Sequence, residues 1–376
     1  MASGLKYWRE AATLILAARV KSPITSYLGN RKFVFDYQIL MLQRSAKSGF
    51  FPSAQVFPGG TVEKADFSSE WLGMFRKYAN VQAPSDFGPM VQIEGKRPPM
   101  FLRDHGSELP PAVAYRISAI RETFEECGIL MLRDASQCRT LAGVKRPPLG
   151  ASVTMAAQDL RTWRERIHKD AGSFLSLCQE LQSVPDIWSL EEWSNWLTPS
   201  DMMKKRFDTI FFISCLDHLP VAVEDNAEIS QCKWITPLES LQLYSDGVTY
   251  LPPPQVYEYR RLLNKQRFDD LAQFCQNRAF QGMERFLPVR CNCSNGVASL
   301  FPGDEYYPEH PAEDTNEGNL LHYDGTVEDH TQSSAHTNRI LFHSVTDYQL
   351  HVSGPERCGH PHPVTVHIPA RDSSKM

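Results

Sequence analysis

The sequence has little of several things, and each shortage excludes a class. No apolar run approaches the length of a membrane-spanning helix. There is no excess of basic residues: the formal charge is −5 and the sequence pI is about 6.2. That argues against an electrostatic binder of long nucleic acid, which would be basic. No internal repeat is visible. The nine cysteines are an odd number, scattered without a framework; Cys127, Cys138, Cys178, Cys215 and Cys275 sit in apolar or helical patterns and read as reduced, buried thiols of an intracellular protein. Cys291, Cys293, Cys358 and His360 are zinc-type donors. Their spacing fits no common zinc pattern, and they read as ordinary residues of a loop-rich tail. Ala11 to Ala18 is apolar but lacks a clear cleavage site, and reads as a first strand rather than a secretory signal.

What is present suits a globular protein with a sizeable core. The 376 residues are 42% hydrophobic and 22% charged. "REAATLILAARV" and "DYQILMLQRS" read as strands, as do "ILMLRDA", "FDTIFFISCL" (Phe207 to Leu216) and "AEISQCKWITP". A helix is expected from Pro111, where proline is tolerated in a first turn, to Gly128, a good stop. Apolar residues at helical spacing run from Leu160 to Leu181 and again from Pro254 to about Gln276. The expectation is an α/β (α+β) fold over residues 1–290. An extension over 291–376 is polar and loop-like and carries nine of the twelve histidines. These are irregularly spaced, so a packed or partly ordered extension is favoured over a metal site.

The densest chemistry lies in "RETFEECGIL". On a helix, Glu122 and Glu126 are four apart and share a face, and Glu125 lies beside them. Arg121 and Glu125 are also four apart and can pair. Ala119, Ile120, Phe124 and Cys127 fall on the apolar side. Like charges at this spacing repel, so a solvated face would usually mix signs. A carboxylate cluster offers the hard oxygen donors that Mg²⁺ and Mn²⁺ prefer. Acidic helix faces are common, however, and the helix alone does not decide between a solvated face and a site. Upstream, "FPGGTVEKAD" places two glycines after a proline and an acidic residue six positions beyond Gly60. Glycine there lets the backbone come close to a metal or phosphate.

Together the two pieces resemble the Nudix box, in which a glycine, five residues and a Glu are followed by seven residues and then Arg-Glu-x-x-Glu-Glu-x-Gly. Gly60 matches the first glycine, and Arg121, Glu122, Glu125, Glu126 and Gly128 match the second half. Asp66 stands where the family has Glu. Fifty-four residues separate Asp66 from Arg121 where the family has seven, an excess of 54 − 7 = 47. If those residues loop out on the surface the cost grows slowly with length, but Asp66 is left in question, with Glu63 and Glu70 as nearby substitutes. "LMLQRSAKSGFFPSAQVFPGG" resembles the coenzyme A pyrophosphatase signature, with Arg44 and Ser45 at its Arg-Ser.

The resemblance implies a Nudix α/β/α sandwich with a mixed sheet over residues 1–290, with an insertion at 67–110 splitting the box and a helical insertion at about 145–200. It implies metal-dependent hydrolysis of the pyrophosphate bond of coenzyme A and acyl-coenzyme A, giving 3′,5′-ADP and (acyl-)4′-phosphopantetheine. Glu122, Glu125 and Glu126 would hold Mg²⁺ or Mn²⁺, and Arg44, Ser45, Gly59 and Gly60 would face the substrate. Arg121 would orient a carboxylate, and the general base would be Glu122 or Glu228. Two other readings stay open: removal of coenzyme A-like caps from RNA 5′ ends, and a catalytically degenerate nucleotide-binding module. Ser374, Lys375 and Met376 differ from the S-K-L peroxisomal address by one side chain. They make an import receptor an expected partner and the peroxisome the expected location, with mitochondrial or cytosolic placement as alternatives.

Overall fold

The computed structural model describes residues 8–47, 51–91, 93, 95–140, 148–199, 205–225, 227–278, 281–313, 320–344 and 347–370. The last three residues, Ser374, Lys375 and Met376, lie outside the described residues. No helix among those described is long and apolar enough to cross a membrane.

The architecture is built on one long strand, Arg9–Leu28. Its N-terminal half pairs in parallel with Phe207–Leu216, from Arg9 opposite Phe207 to Ala18 opposite Leu216. On its other edge the same half pairs antiparallel with the short strand Gly59–Thr61. Its C-terminal half instead pairs antiparallel with Arg31–Arg44, across a register shift between Arg19 and Ile24. A bulge of that kind bends a strand and increases its twist, so one strand can serve different partners at its two ends. Ile229–Ile235 and Glu191–Leu197 extend the mixed sheet, and the short strands Gln55–Val56 and Arg285–Phe286 bring it to eight strands.

The helix Pro111–Cys127 covers one face of this sheet. Its first residue is proline, and Gly128 at its C-cap sits at φ 70°, the left-handed conformation that glycine adopts without steric cost. Ile117, Ile120 and Phe124 are fully buried against Leu14, Leu16 and Phe212 of the sheet. The opposite face carries a second core, in which Ile15, Phe57, Phe211 and Tyr259 meet Phe301, Ile340 and Tyr348. Alternation along Arg9–Leu28 explains both: Leu14 and Leu16 face the helix, while Ile15 and Ala17 face the other way.

Several expectations need correction. The 67–110 segment does not loop out. It holds a helix, Glu70–Ala79, whose Trp71, Leu72, Met74 and Phe75 are buried, and Phe87, Met100 and Phe101 join the same core. The segment near 145–200 contains helices, but Glu191–Leu197 within it is a strand of the main sheet. The helical run Leu160–Leu181 is two helices, Ala157–Lys169 and Ser173–Glu180, broken where the Asp170 carboxylate accepts from the Gly172 amide at 3.0 Å. The run from Pro254 is also two helices, Pro253–Leu262 and Phe268–Arg278. Asp36, from a distant strand, accepts from the Phe268 amide and caps the second, a contact no local pattern reveals. Of "ILMLRDA", Leu132–Asp134 forms a strand and Ala135 opens a short helix.

The extension is not loop-like. Val289–Cys293, Gly296–Leu300, Leu320–His322, Asn338–Phe342 and Tyr348–Val352 make a five-stranded sheet. One of its faces has a small core of its own and the other shares the second core of the main sheet. The zinc-type donors do not assemble. The Cys291 thiol lies against His330 at 3.7 Å, while the His360 ring bonds the Trp193 carbonyl at 2.8 Å. All nine cysteines are free thiols.

Candidate active site

The site forms where the short strand Gly59–Thr61 passes the acidic turn of the helix Pro111–Cys127. Pairing with the long strand puts Gly60 opposite Ala12 and Gly59 opposite Thr13. That leaves the glycine backbone facing the helix with nothing between. The Gly59 amide donates to Glu126 Oε2 at 2.8 Å. At Gly60 a Cβ would stand 2.4 Å from Glu122 Oε2, so the absence of a side chain there is a geometric requirement.

Arg121 organises the acidic turn. Its Nε and Nη2 donate to the two oxygens of Asp66, each at 2.8 Å, a fork matched to a carboxylate. Its Nη1 donates to Glu122 Oε1 at 2.9 Å and Glu125 Oε1 at 2.6 Å, and Nη2 also reaches the Thr61 carbonyl at 3.1 Å. Asp66 is 1% exposed, and it also accepts from the Glu63 amide at 2.9 Å. The doubt over Asp66 is therefore resolved. It is the residue that crosses the 54-residue separation to meet Arg121, and neither Glu63 nor Glu70 takes its place. Glu63 lines the cleft, while Glu70 is exposed at the start of its helix.

The cluster is short of positive charge. Asp66, Glu122, Glu125 and Glu126 carry four carboxylates around one guanidinium, 1 − 4 = −3 if all are ionised. Burial, then the neighbouring Glu125 and Asp66, push the Glu122 carboxyl up to about 8 against the pull of Arg121. Burial, then Glu122, raise Glu126 well above the usual carboxylate range. Burial raises Glu125 as well, against Arg121. Burial works against the Arg121 charge too, yet Asp66 and Glu122 hold its pKa above the ordinary value.

A divalent cation among such oxygens would offset the excess charge, and hard oxygen donors are what Mg²⁺-like ions take. The donor set therefore fits one chemically. Among the described residues no three acidic, His or Cys side chains already converge as a ready metal site. Arg121 Nη1 draws Glu122 and Glu125 onto itself, which accounts for two of the three carboxylates turning away from a common point.

These residues line one large cleft of about 1230 Å³. Arg44, Gly59, Gly60, Arg121, Glu122, Glu125, Glu126 and Glu228 all border it. Glu228 is exposed at the rim, on the loop before the strand Ile229–Ile235. Ser45, expected at the substrate, is not among the lining residues. Its amide instead donates to the Glu228 carbonyl at 2.8 Å, tying the two loops together.

Sequence reasoning missed Asp225, Arg164 and His168. The Asp225 carboxylate accepts from the amides of Ala227, Glu228 and Ile229 at 2.9–3.1 Å and so shapes the Glu228 loop. An Asp two to four residues before a strand is a turn signal, and it could have been found. Arg164 donates to the Glu125 carbonyl at 2.8 Å and to the Val223 carbonyl at 2.8 Å. The His168 ring stands 3.9 Å from Glu125. Both come from the inserted helix Ala157–Lys169, and no local pattern announces that it docks here.

Comparison with known proteins bears on the whole chain. The family described as the NUDT19 Nudix domain matches residues 8–262, and the NUDT19 C-terminal domain matches residues 290–353. Acyl-coenzyme A diphosphatase NUDT19 of Gallus gallus is 41% identical over 372 residues, covering 96% of each chain. The protein of that name from Xenopus laevis is 38% identical, covering 91% of this chain and 92% of its own. That from Homo sapiens is 37% identical, covering 96% of each.

Proposed function

This chain belongs to the NUDT19 family of Nudix hydrolases, and we propose that it hydrolyses the pyrophosphate bond of coenzyme A and acyl-coenzyme A, releasing 3′,5′-ADP and (acyl-)4′-phosphopantetheine. The observation that carries this reading is the closed set formed by Arg121 and Asp66 with Glu122, Glu125, Glu126 and the Gly59–Gly60 backbone, on the wall of a cleft that also holds Arg44. The names of the related diphosphatases support the substrate.

Nudix hydrolases generally depend on a divalent metal. For this chain Mg²⁺ or Mn²⁺ is the proposed ion, with Glu122, Glu125 and Glu126 as the residues that would hold it. Such an ion, when bound, polarises phosphoryl oxygen and makes nearby water a better nucleophile at neutral pH.

The chain's own residues divide the remaining work. Gly59 and Gly60 border the cleft as bare backbone, which lets the Glu122 carboxylate close on Gly60 and the Gly59 amide hold Glu126. Arg121, held by Asp66, fixes the rotamers of Glu122 and Glu125, a positioning role. Arg44 offers a guanidinium suited to phosphate oxygens, and Ser45 holds the loop beside it. Glu122 is pinned between Arg121 and Gly60, whereas Glu228 is exposed to solvent at the rim, where a water can reach it. Glu228 is therefore the proposed general base. It takes a proton from the attacking water as that oxygen bonds to one phosphorus and the bridging P–O bond breaks.

Incubation with coenzyme A and Mg²⁺ or Mn²⁺, read by mass spectrometry, tests the proposal. Release of 3′,5′-ADP that stops with a chelator is expected. No release with either ion would leave a nucleotide-binding module. A peroxisomal location is proposed from the Ser374-Lys375-Met376 tripeptide. Deleting it should leave a fluorescent fusion in the cytosol, and continued organellar targeting would refute it.

A further inference from the structure

The geometry points to a place for the acyl chain: the cleft-facing side of the C-terminal sheet, centred on the cross-strand pair Val297 and Phe342. This rests on the coenzyme A reading and deepens it. The C-terminal sheet is not an appendage to the site. Arg290, Val297, Ser299 and Phe342 line the same cleft as the acidic turn. Strand alternation places them there. Val289, Cys291, Ala298, Leu300 and Leu341 turn to the small core behind, so their neighbours in sequence turn to the cleft. Register pairs Val297 with Phe342 and Arg290 with Ser299. The wall therefore has an apolar patch and a polar one side by side. Val297 and Phe342 are half-buried, and apolar surface of that kind gains from being covered.

Continuity with the acidic turn identifies the occupant. Gly59 pairs with Thr13, and Thr13 pairs with Phe211 on the next strand. Two strand spacings carry the wall from the glycine to Phe211, about 10 Å. Ala11, Thr13, Thr209 and Phe211 line this stretch as the surface across from the C-terminal sheet. A ligand with its pyrophosphate near the acidic turn thus has an uncharged path, over Ala11, Thr13, Thr209 and Phe211, leading away from it. At about 1230 Å³ the cleft exceeds the 300–1,000 Å³ usual for small-molecule sites, which suits an extended ligand. The nucleotide end is anionic and suits Arg44, where the Phe51 and Tyr250 rings stand 5.8 Å apart. The uncharged end of the substrate is its acyl chain, and each methylene buried is worth about fourfold in affinity.

The test compares kcat/KM for dodecanoyl- and acetyl-coenzyme A in the full-length protein. Two variants are used: Val297→Trp, which fills the patch, and Val297→Asn, which makes it polar at similar size. Thermal melts establish that each variant folds, and the second keeps the test alive should the first not. The dodecanoyl-to-acetyl ratio is expected to fall about tenfold in either variant, the loss of roughly two buried methylenes. Hydrogen exchange supplies a readout independent of turnover. Dodecanoyl-coenzyme A should protect Gly296–Leu300 and Asn338–Phe342 more than coenzyme A does. Folded variants with an unchanged ratio would overturn the assignment, as would equal losses on both substrates, which would place the nucleotide on this wall. A parent protein that hydrolyses no coenzyme A ester would instead sink the functional reading, and this one with it.

Discussion

Two adjacent glycines separate folding from catalysis, and substituting each in turn makes the separation measurable. In Gly60→Ala the new Cβ stands 2.4 Å from Glu122 Oε2, 2.5 Å from its Cδ and 2.8 Å from Oε1. Ordinary contact begins near 3.4 Å, so the carboxylate must retreat by 3.4 − 2.4, about 1 Å. The group displaced is the end of a flexible side chain, so the fold can absorb it. Arg121, which holds Glu122 at 2.9 Å, must follow or let go. Misplacing a reacting group by about 1 Å costs on the order of 10²-fold in rate. Gly60→Ala should therefore lower kcat/KM for coenzyme A about a hundredfold and shift the melting temperature by only a few degrees. Gly59→Ala should do the reverse in kind. Gly59 has φ 154°, and its Cβ would meet the Ala12 carbonyl oxygen at 2.4 Å and Thr13 Cα at 2.6 Å. Those are backbone atoms of the central strand and cannot yield without disturbing the sheet, so this variant should melt well below the parent. Coenzyme A turnover and thermal unfolding, measured on both variants, check the pair of outcomes. A Gly60→Ala protein with activity within threefold of the parent would refute the close approach of backbone to Glu122.

Further outcomes follow from the same cluster. Glu126→Gln should abolish metal-dependent turnover while leaving the circular dichroism spectrum intact, because the amide still accepts from the Gly59 N–H; near-parental activity would show the site is misassigned. Asp66→Asn keeps the shape but removes the charge facing Arg121, a buried pair whose breakage costs about 3 kcal/mol; a lower melting temperature and a 10–100-fold loss of activity are expected, and an unchanged melt would argue against the pair. Glu228→Gln should reduce kcat by about 10²–10⁴ with little change in the melting temperature, and a kcat close to the parent's would argue against Glu228 as base. Glu122 is raised from 4.5 to about 8 on folding without metal, so the folded state binds this proton more tightly. The contribution of this group to stability is fully present below pH 4.5 and is lost as the pH rises towards 8. Buried Glu191, also raised to about 8, acts in the same window but lies outside the acidic turn. Added Mg²⁺ or Mn²⁺ should therefore raise the melting temperature more at pH 8 than at pH 5.5, and equal increments at both would contradict the charge-deficient cluster.

Much of this site was legible because its chemistry sits in short spacings. Glu122, Glu125 and Glu126 share a helix turn, and Arg121 pairs with Glu125 four residues on, at 2.6 Å, as helical geometry dictates. Pro111 and Gly128 marked the ends of the helix for local reasons, a tolerated first-turn proline and a left-handed cap. The strand Phe207–Leu216 is legible to the residue because its run of β-branched and aromatic residues is bounded on both sides. What failed was long-range. Asp36 caps a helix that begins at Phe268, and no window of sequence contains both. The C-terminal strands are short and rich in polar residues, and their alternation is legible only once one face is known to be buried.

The inserted segment shows why the local reading of Asp66 fell short. A surface loop between the halves of the box would have left their meeting to chance and loop entropy. Instead Trp71, Phe75 and Phe101 bury the segment in the same core as Ile117 and Phe124 of the acidic helix. Tyr115, on that helix, meets Phe67 and Phe101 edge-on at 5.6 and 5.4 Å. Phe67 immediately follows Asp66, so the packing that seats the insertion also fixes the carboxylate against Arg121. The shorter side chain of Asp is then no handicap, because the backbone carrying it is held close: the Thr61 carbonyl lies 3.1 Å from the same guanidinium. A long insertion and a working first half of the box are thus compatible here through hydrophobic packing, and the separation in sequence says little about the distance in space.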